Sequence, residues 1–125
     1  VADGHRDFVE RWAAFWAAPD PAGLDGLSAP DIVLEWPGRE EPIRGLDAWR
    51  QQVAGALARF PGLVLEVVAD AADGDTSFVA WRAAASVDGR AVHWQGVDRM
   101  ELRDGLVVRS VVVFDTAPLR APAAG

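Results

Sequence analysis

A chain of 125 residues, half of them hydrophobic and with a net charge of -7, is sized for one domain around a single core. It has no cysteine, which excludes disulfides, thiolate metal sites and cysteine nucleophiles, and its acidity opposes nucleic acid and anionic membranes. No apolar run approaches the roughly 20 residues that span a bilayer, so the chain is read as soluble and cytoplasmic, with no membrane partner.

The first element is legible in "HRDFVERWAAFWAA", residues 5–18, where Phe8, Trp12, Phe15 and Trp16 recur at helical spacing. An amphipathic helix with an aromatic stripe is expected, ended by Pro19. Asp20 before Pro21 is an N-cap and first-turn signal for a short second helix ending near Ala29. In "DIVLEW", residues 31–36, Ile32, Leu34 and Trp36 alternate with Val33 and Glu35 as a strand, closed by "PG". After a polar loop, residues 45–60 place Leu46, Trp49, Val53, Leu57 and Phe60 on one helical face, stopped by Pro61 and Gly62. The period then changes from helical to alternating. Segments 63–70, 77–87, 90–102 and 106–114 read as four successive antiparallel strands, separated by Asp- and Gly-containing turns. The order specifies a single α+β domain over 1–125, with an ordered core at 5–119, helices on one sheet face and a loose tail at 116–125.

Within "GVDRMELRDG", residues 96–105, Asp98 falls on the alternating face that carries Val92, Trp94, Gly96, Met100 and Leu102. A two-residue turn at Asp88-Gly89 sets Val79 opposite Asp98 and puts Trp81, Ala83 and Ala85 on the same face. The next hairpin admits two registers. A two-residue Asp104-Gly105 turn sets Asp98 against Val111, whereas a three-residue loop from Arg103 sets it against Ser110. The second joins Leu106, Val108, Val112 and Phe114 into one apolar face and is the register expected here.

An acid at that position has a structural reading and a functional one. In the first, Ser110 and a buried water satisfy the carboxyl and it helps to fix the register. In the second, an apolar pocket desolvates it, raises its pKa and makes it an acid, a base or a neutral hydrogen-bond donor. Trp12, Phe15, Trp16, Trp36, Val79, Trp81, Trp94, Met100, Val112 and Phe114 are the expected pocket walls. Several aromatics on one concave face suit a flat, hydrophobic small-molecule partner. Glu66 belongs outside if Leu63, Leu65, Val67 and Ala69 face the core, and would join Asp98 only after a one-residue slip. His93 lies on the opposite face from Asp98, which favours a surface position near Asp115 over a catalytic one. Glu40, Glu41 and Arg44 belong to the surface or the pocket rim. The two histidines show no ligand spacing, so neither metal nor cofactor is expected.

The order of elements, with "PIRGLDAW" before the third helix and "GVDRMELRDGLVVRSVVVFD" at the end, resembles the SnoaL-like and ketosteroid-isomerase-like members of the nuclear transport factor 2-like superfamily. That resemblance implies a cone-shaped domain, its curved mixed or antiparallel sheet wrapped around helices and a central apolar pocket, commonly as a homodimer. It places Asp98 where the ketosteroid isomerases keep a protonated, hydrogen-bond-donating aspartic acid. Trp12 stands at the place of their tyrosine donor, Trp36 at that of their aspartate base, and Val112 where cyclases and limonene-type epoxide hydrolases carry a late aspartate. The resemblance and the pocket together imply a cofactor-independent enzyme of cyclase, isomerase or dehydratase type, acting on a hydrophobic cyclic or polyketide-like substrate through Asp98. The rival is a binding protein that keeps the pocket without the chemistry. A third reading uses the outer sheet face, through Val107, Val111 and Val113, as a docking surface, with a homodimer as its simplest occupant.

Overall fold

A computed structural model describes residues 2–115; the tail at 116–125 lies outside the described residues. The elements in chain order are α1 (Ala2–Ala17), a 3-10 helix (Pro21–Gly26), β1 (Ser28–Glu35), β2 (Ile43–Arg44), α2 (Leu46–Arg59), β3 (Val64–Asp73), β4 (Thr76–Val87), β5 (Arg90–Arg103) and β6 (Leu106–Phe114). Six strands form one mixed sheet in the order β2-β1-β6-β5-β4-β3. β1 runs parallel to β6 and the other neighbours are antiparallel. The three helices pack against this sheet in an α+β cone.

On α1 the stripe at i, i+4 and i+8 is the buried one: Phe8, Trp12 and Trp16 are core residues, whereas Phe15 is half-buried beside them. Polar residues of the helix tie it to the rest of the fold. Arg11 donates from Nη1 to the Gly26 carbonyl at 2.7 Å and from Nη2 to the Gly105 carbonyl at 2.9 Å, clamping the 3-10 helix and the β5–β6 turn together. Near the helix start, His5 Nε2 is 2.8 Å from Asp70 Oδ1 and its Nδ1 is 2.8 Å from Ser77 Oγ.

That Ser-His-Asp arrangement is outside the core cavity, and Ser77 is 2% exposed, too enclosed to meet a substrate. Its evident job is to anchor the helix across β3 and β4. Replacing His5 by Ala should therefore lower stability by about 1–3 kcal/mol, because the buried Ser77 hydroxyl loses its partner. A chemical-denaturation midpoint unchanged from the parent would refute this role.

Two expectations about the elements need correction. The second helix is a 3-10 turn that ends at Gly26, not near Ala29; Asp20 caps it, accepting from Ala22 N at 3.0 Å. Its last turn is short because Ser28 already joins β1, pairing with Val107 of β6. The loop after Trp36 also contributes a two-residue strand, β2, whose Ile43 pairs with Leu34. Two residues carry no readable alternation, so sequence pattern alone misses it.

The β4–β5 hairpin has the expected register, with Val87 opposite Arg90 and Val79 opposite Asp98. The β5–β6 hairpin differs from both options. Asp104 and Gly105 have φ of 54° and 78°, a two-residue turn of the I′ kind, and Arg103 pairs with Leu106. A bulge at residue 108 then shifts the register, so that Met100 faces Ser110 and Asp98 faces Val112, neither Ser110 nor Val111.

The bulge has a clear cause. Without it, Arg109 would face the core and Val112 would face out. With it, Val107 and Val112 are both buried, while Arg109 turns outward to ion pairs with Glu35 and Glu101. The two-residue turn already puts Val107 on the inner face, opposite Leu102, against the expected docking surface; Val111 and Val113 remain outside, Val113 exposed beside Val97.

Candidate functional site

The concave face of the sheet and the inner faces of α1, the 3-10 helix and α2 enclose a cavity of about 100 Å³. Its walls include Trp12, Trp16, Trp36, Trp49, Phe60, Trp81, Trp94, Met100, Val112 and Phe114, with Asp98 the one carboxyl group among its lining residues. Of the expected wall residues, Phe15 and Val79 do not line it. Phe15 instead packs edge-on against Trp16 at 4.9 Å. Val79 is fully buried directly opposite Asp98. Trp49, Phe60, Val53, Leu24 and Leu27 complete the wall. For the α2 residues the signal is present in the helical stripe, but only the fold shows that this stripe closes the same chamber.

Asp98 is held by its strand neighbours. On an antiparallel pair a long side chain reaches not only the residue directly opposite but also the diagonal one two positions away. Trp81 is diagonal to Asp98 on the same face, and its Nε1 donates to Asp98 Oδ1 at 2.9 Å. The pairing of Val79 with Asp98 already implies that diagonal, yet the sequence pattern identifies Trp81 only as a wall. Ser110, expected to orient the acid, is buried in the cavity wall opposite Met100 instead. The two-residue turn and the bulge together move it one pair along, and the Trp81 indole takes the orienting position.

Gly96 makes this contact sterically feasible. It lies directly opposite Trp81. A Cβ there would come within 2.6 Å of Trp81 Cζ2, 2.6 Å of Phe114 Cβ and 2.5 Å of the Val113 carbonyl oxygen. The indole therefore crosses over bare backbone.

Burial in this apolar chamber raises the Asp98 carboxyl from 3.8 to about 7, against the opposing pull of hydrogen bonds from the Trp81 and, next, the Trp12 indoles. Indoles are donors only. They stabilise the carboxylate without being able to take its proton, and the net result is an acid poised near neutrality, able to give or accept a proton.

The remaining candidates lie elsewhere. Glu66 points outward, opposite Arg82 and 3.4 Å from its guanidinium, so the unslipped reading of β3 is the observed one at that residue. His93 is on the outer face with Arg82, Gln95 and Asp115 around a shallow depression. Glu40, Glu41 and Arg44 are exposed and do not line the cavity. Among the described residues no cluster of histidine and acidic side chains is arranged to hold a metal ion, and no helix is long and apolar enough to cross a membrane.

Comparison with solved structures returns the same architecture. AclR, a candidate hydroxylase from Streptomyces galilaeus, superposes with a TM-score of 0.79 at 24% identity, over 92% of this chain and 81% of that one. IdmH, a candidate polyketide cyclase from Streptomyces antibioticus, gives 0.80 at 21% identity, over 91% and 94%. TerC, co-crystallized with polyporic acid, gives 0.80 at 20% identity, over 93% and 95%. At these identities the likeness establishes the fold alone. No curated protein matches the chain in sequence. The model of the SnoaL-like domain, however, matches residues 9–110, a span running from α1 through the Asp98 strand to the pocket wall on β6, and the chain belongs to that SnoaL-like family.

Proposed function

We propose that the protein is a cofactor-independent small-molecule enzyme of the cyclase, isomerase or dehydratase type. Its substrate is hydrophobic and cyclic or polyketide-like, and Asp98 is its acid-base group. The observation that carries this reading is one carboxyl, near neutrality, fixed by an indole N–H inside a cavity whose walls are otherwise almost entirely apolar. A carbon acid or a departing hydroxyl bound there would meet a proton carrier without competition from bulk water, and the aromatic walls would keep a flexible chain folded on itself. The candidate polyketide cyclase name of one structural relative supports the same substrate class.

The test starts from the small molecule retained on native purification, identified by mass spectrometry. Turnover of that compound or its precursor should fall about 10²–10⁴-fold in Asp98→Asn, with binding retained. The parent rate should follow a titration near pH 7 that the variant lacks. Undiminished turnover in Asp98→Asn would exclude the acid-base reading.

The non-catalytic alternative draws on Trp12, Trp36 and Val112, which line the cavity where relatives in the superfamily are expected to carry reactive groups. It predicts a retained ligand recovered chemically unchanged. The third reading, separate from both, puts a second copy of the chain on the outer sheet face, at Val111 and Val113 beside exposed Val97; a strictly monomeric species in sedimentation would exclude that assembly.

A further inference from the structure

Trp36 shows a feature that acid-base work at Asp98 leaves unused. Its indole Nε1 is fully enclosed and has no hydrogen-bond acceptor, and among the described residues it is the one side-chain nitrogen or oxygen so completely enclosed that lacks a partner. A buried donor without a partner costs roughly 1–3 kcal/mol, and such exceptions in a well-packed core call for a specific explanation. Trp36 lines the cavity. It follows Glu35, whose partner is Val111, and so comes level with Val112 on the next strand, while Asp98 faces Val112 from the strand beyond. Trp36 and Asp98 therefore flank one valine from opposite sides, about 10 Å apart at the backbone by two strand spacings.

The cavity itself is small. At about 100 Å³ it is close to the size that admits one aromatic ring and well below a usual ligand pocket of ~300 Å³ or more. A larger substrate fits wholly inside only if the walls part. Trp36 is where parting brings a gain: its ring packs T-shaped with Trp49 and Phe114, at centroid distances of 5.8 and 6.0 Å, and its N–H, closed off as packed, gains a partner once the walls part and an acceptor enters.

Resting on the pocket reading above, we infer that Trp36 is a specificity-determining donor, and that the substrate is a carbonyl compound whose oxygen accepts from Trp36 Nε1 while its reacting group faces Asp98. An indole N–H cannot accept a proton, so a hydroxyl can bind only through its oxygen lone pairs, and a hydrocarbon or ammonium at this end leaves the donor unmet. The substrate thus has two polar ends and an apolar middle.

A matched pair of probes tests this. Acetophenone and α-methylstyrene share one ring and a planar branch, and differ in carbonyl oxygen against methylene. In the parent protein acetophenone should bind about fivefold more tightly, the effect of one net hydrogen bond. The indole ¹H–¹⁵N resonance that disappears in Trp36→Phe should move downfield with acetophenone and stay in place with α-methylstyrene. In Trp36→Phe the ratio of the two affinities should fall to about one, whatever the change in each, and continued binding of α-methylstyrene certifies an intact pocket. A carbonyl preference that survives in Trp36→Phe overturns the inference and leaves the pocket reading standing, with Asp98 as the donor. Binding of neither probe by the parent overturns both.

Discussion

Asp98→Asn should remove most of the pH dependence of stability between pH 4 and pH 7. The folded carboxyl titrates at about 7, raised from 3.8 by burial, whereas in the unfolded chain it is solvated and titrates near its ordinary value. Between those two values the folded protein holds a proton that the unfolded protein has released. Stability therefore falls as pH rises across that window, with no penalty below about pH 4 and the full penalty above about pH 7. About three pH units separate the two values, which corresponds to roughly 4 kcal/mol at 1.36 kcal/mol each. An asparagine in the same place does not titrate. The difference in unfolding free energy between parent and variant should accordingly change by this amount from pH 4 to pH 8, in favour of the variant at the higher pH. Urea unfolding at several pH values measures it, and parallel profiles for the two proteins would mean that the carboxyl is not desolvated as described.

The same penalty bears on function. A protein of this size has only about 5–15 kcal/mol of stability in total. Holding a carboxylate in an apolar chamber at neutral pH consumes a large part of it, which a purely structural role for Asp98 would not warrant. Trp81 and Trp12 lessen the penalty without removing it, and the outcome is a group with both protonation states populated near pH 7.

Much of this is legible in the chain because several local signals agree. The aromatic stripe of α1, the Asp88-Gly89 turn and the alternation around Asp98 each specify an element, and together they place the acid on the inner face. What stays hidden depends on contacts that no local pattern encodes. The bulge at residue 108 arises from the conflict between keeping Arg109 wet and Val107 dry, and together with the two-residue turn it replaces Ser110 by Val112 as the partner of Asp98. The two-residue β2 exists only because β1 presents an edge to it. The His5 anchor joins residues 65 and 72 positions apart, and spacing between such distant residues carries no information. Trp81 is the intermediate case: its diagonal position follows from the hairpin, but the direction of its N–H requires the ring to have room.

That room comes from Gly96, and Gly96→Ala should cost both stability and tuning. The reason is space and not backbone freedom, since Gly96 is not among the glycines with positive φ. Two of the three atoms that an added Cβ would meet belong to positions that cannot swing aside, the Val113 carbonyl oxygen at 2.5 Å and Phe114 Cβ at 2.6 Å. Either β5 and β6 separate, straining the central ladder, or the strand tilts and drives the new methyl further into Trp81. Overpacking of this kind costs about 1–3 kcal/mol, readable as a lower denaturation midpoint. Displacing the indole also withdraws the donor from Asp98. Because that bond favours the charged form, its loss moves the carboxyl further above 7. Trp81→Phe separates the two effects: it removes the N–H without crowding the strand pair, so it should raise the Asp98 titration as Gly96→Ala does while leaving the β5–β6 backbone amides as protected from hydrogen exchange as in the parent. ¹³C-detected titration of the Asp98 carboxyl is the deciding measurement. A Gly96→Ala protein with parental stability and an unmoved carboxyl titration would show that the sheet yields freely at this point, and that Trp81 holds Asp98 without needing the gap beneath it.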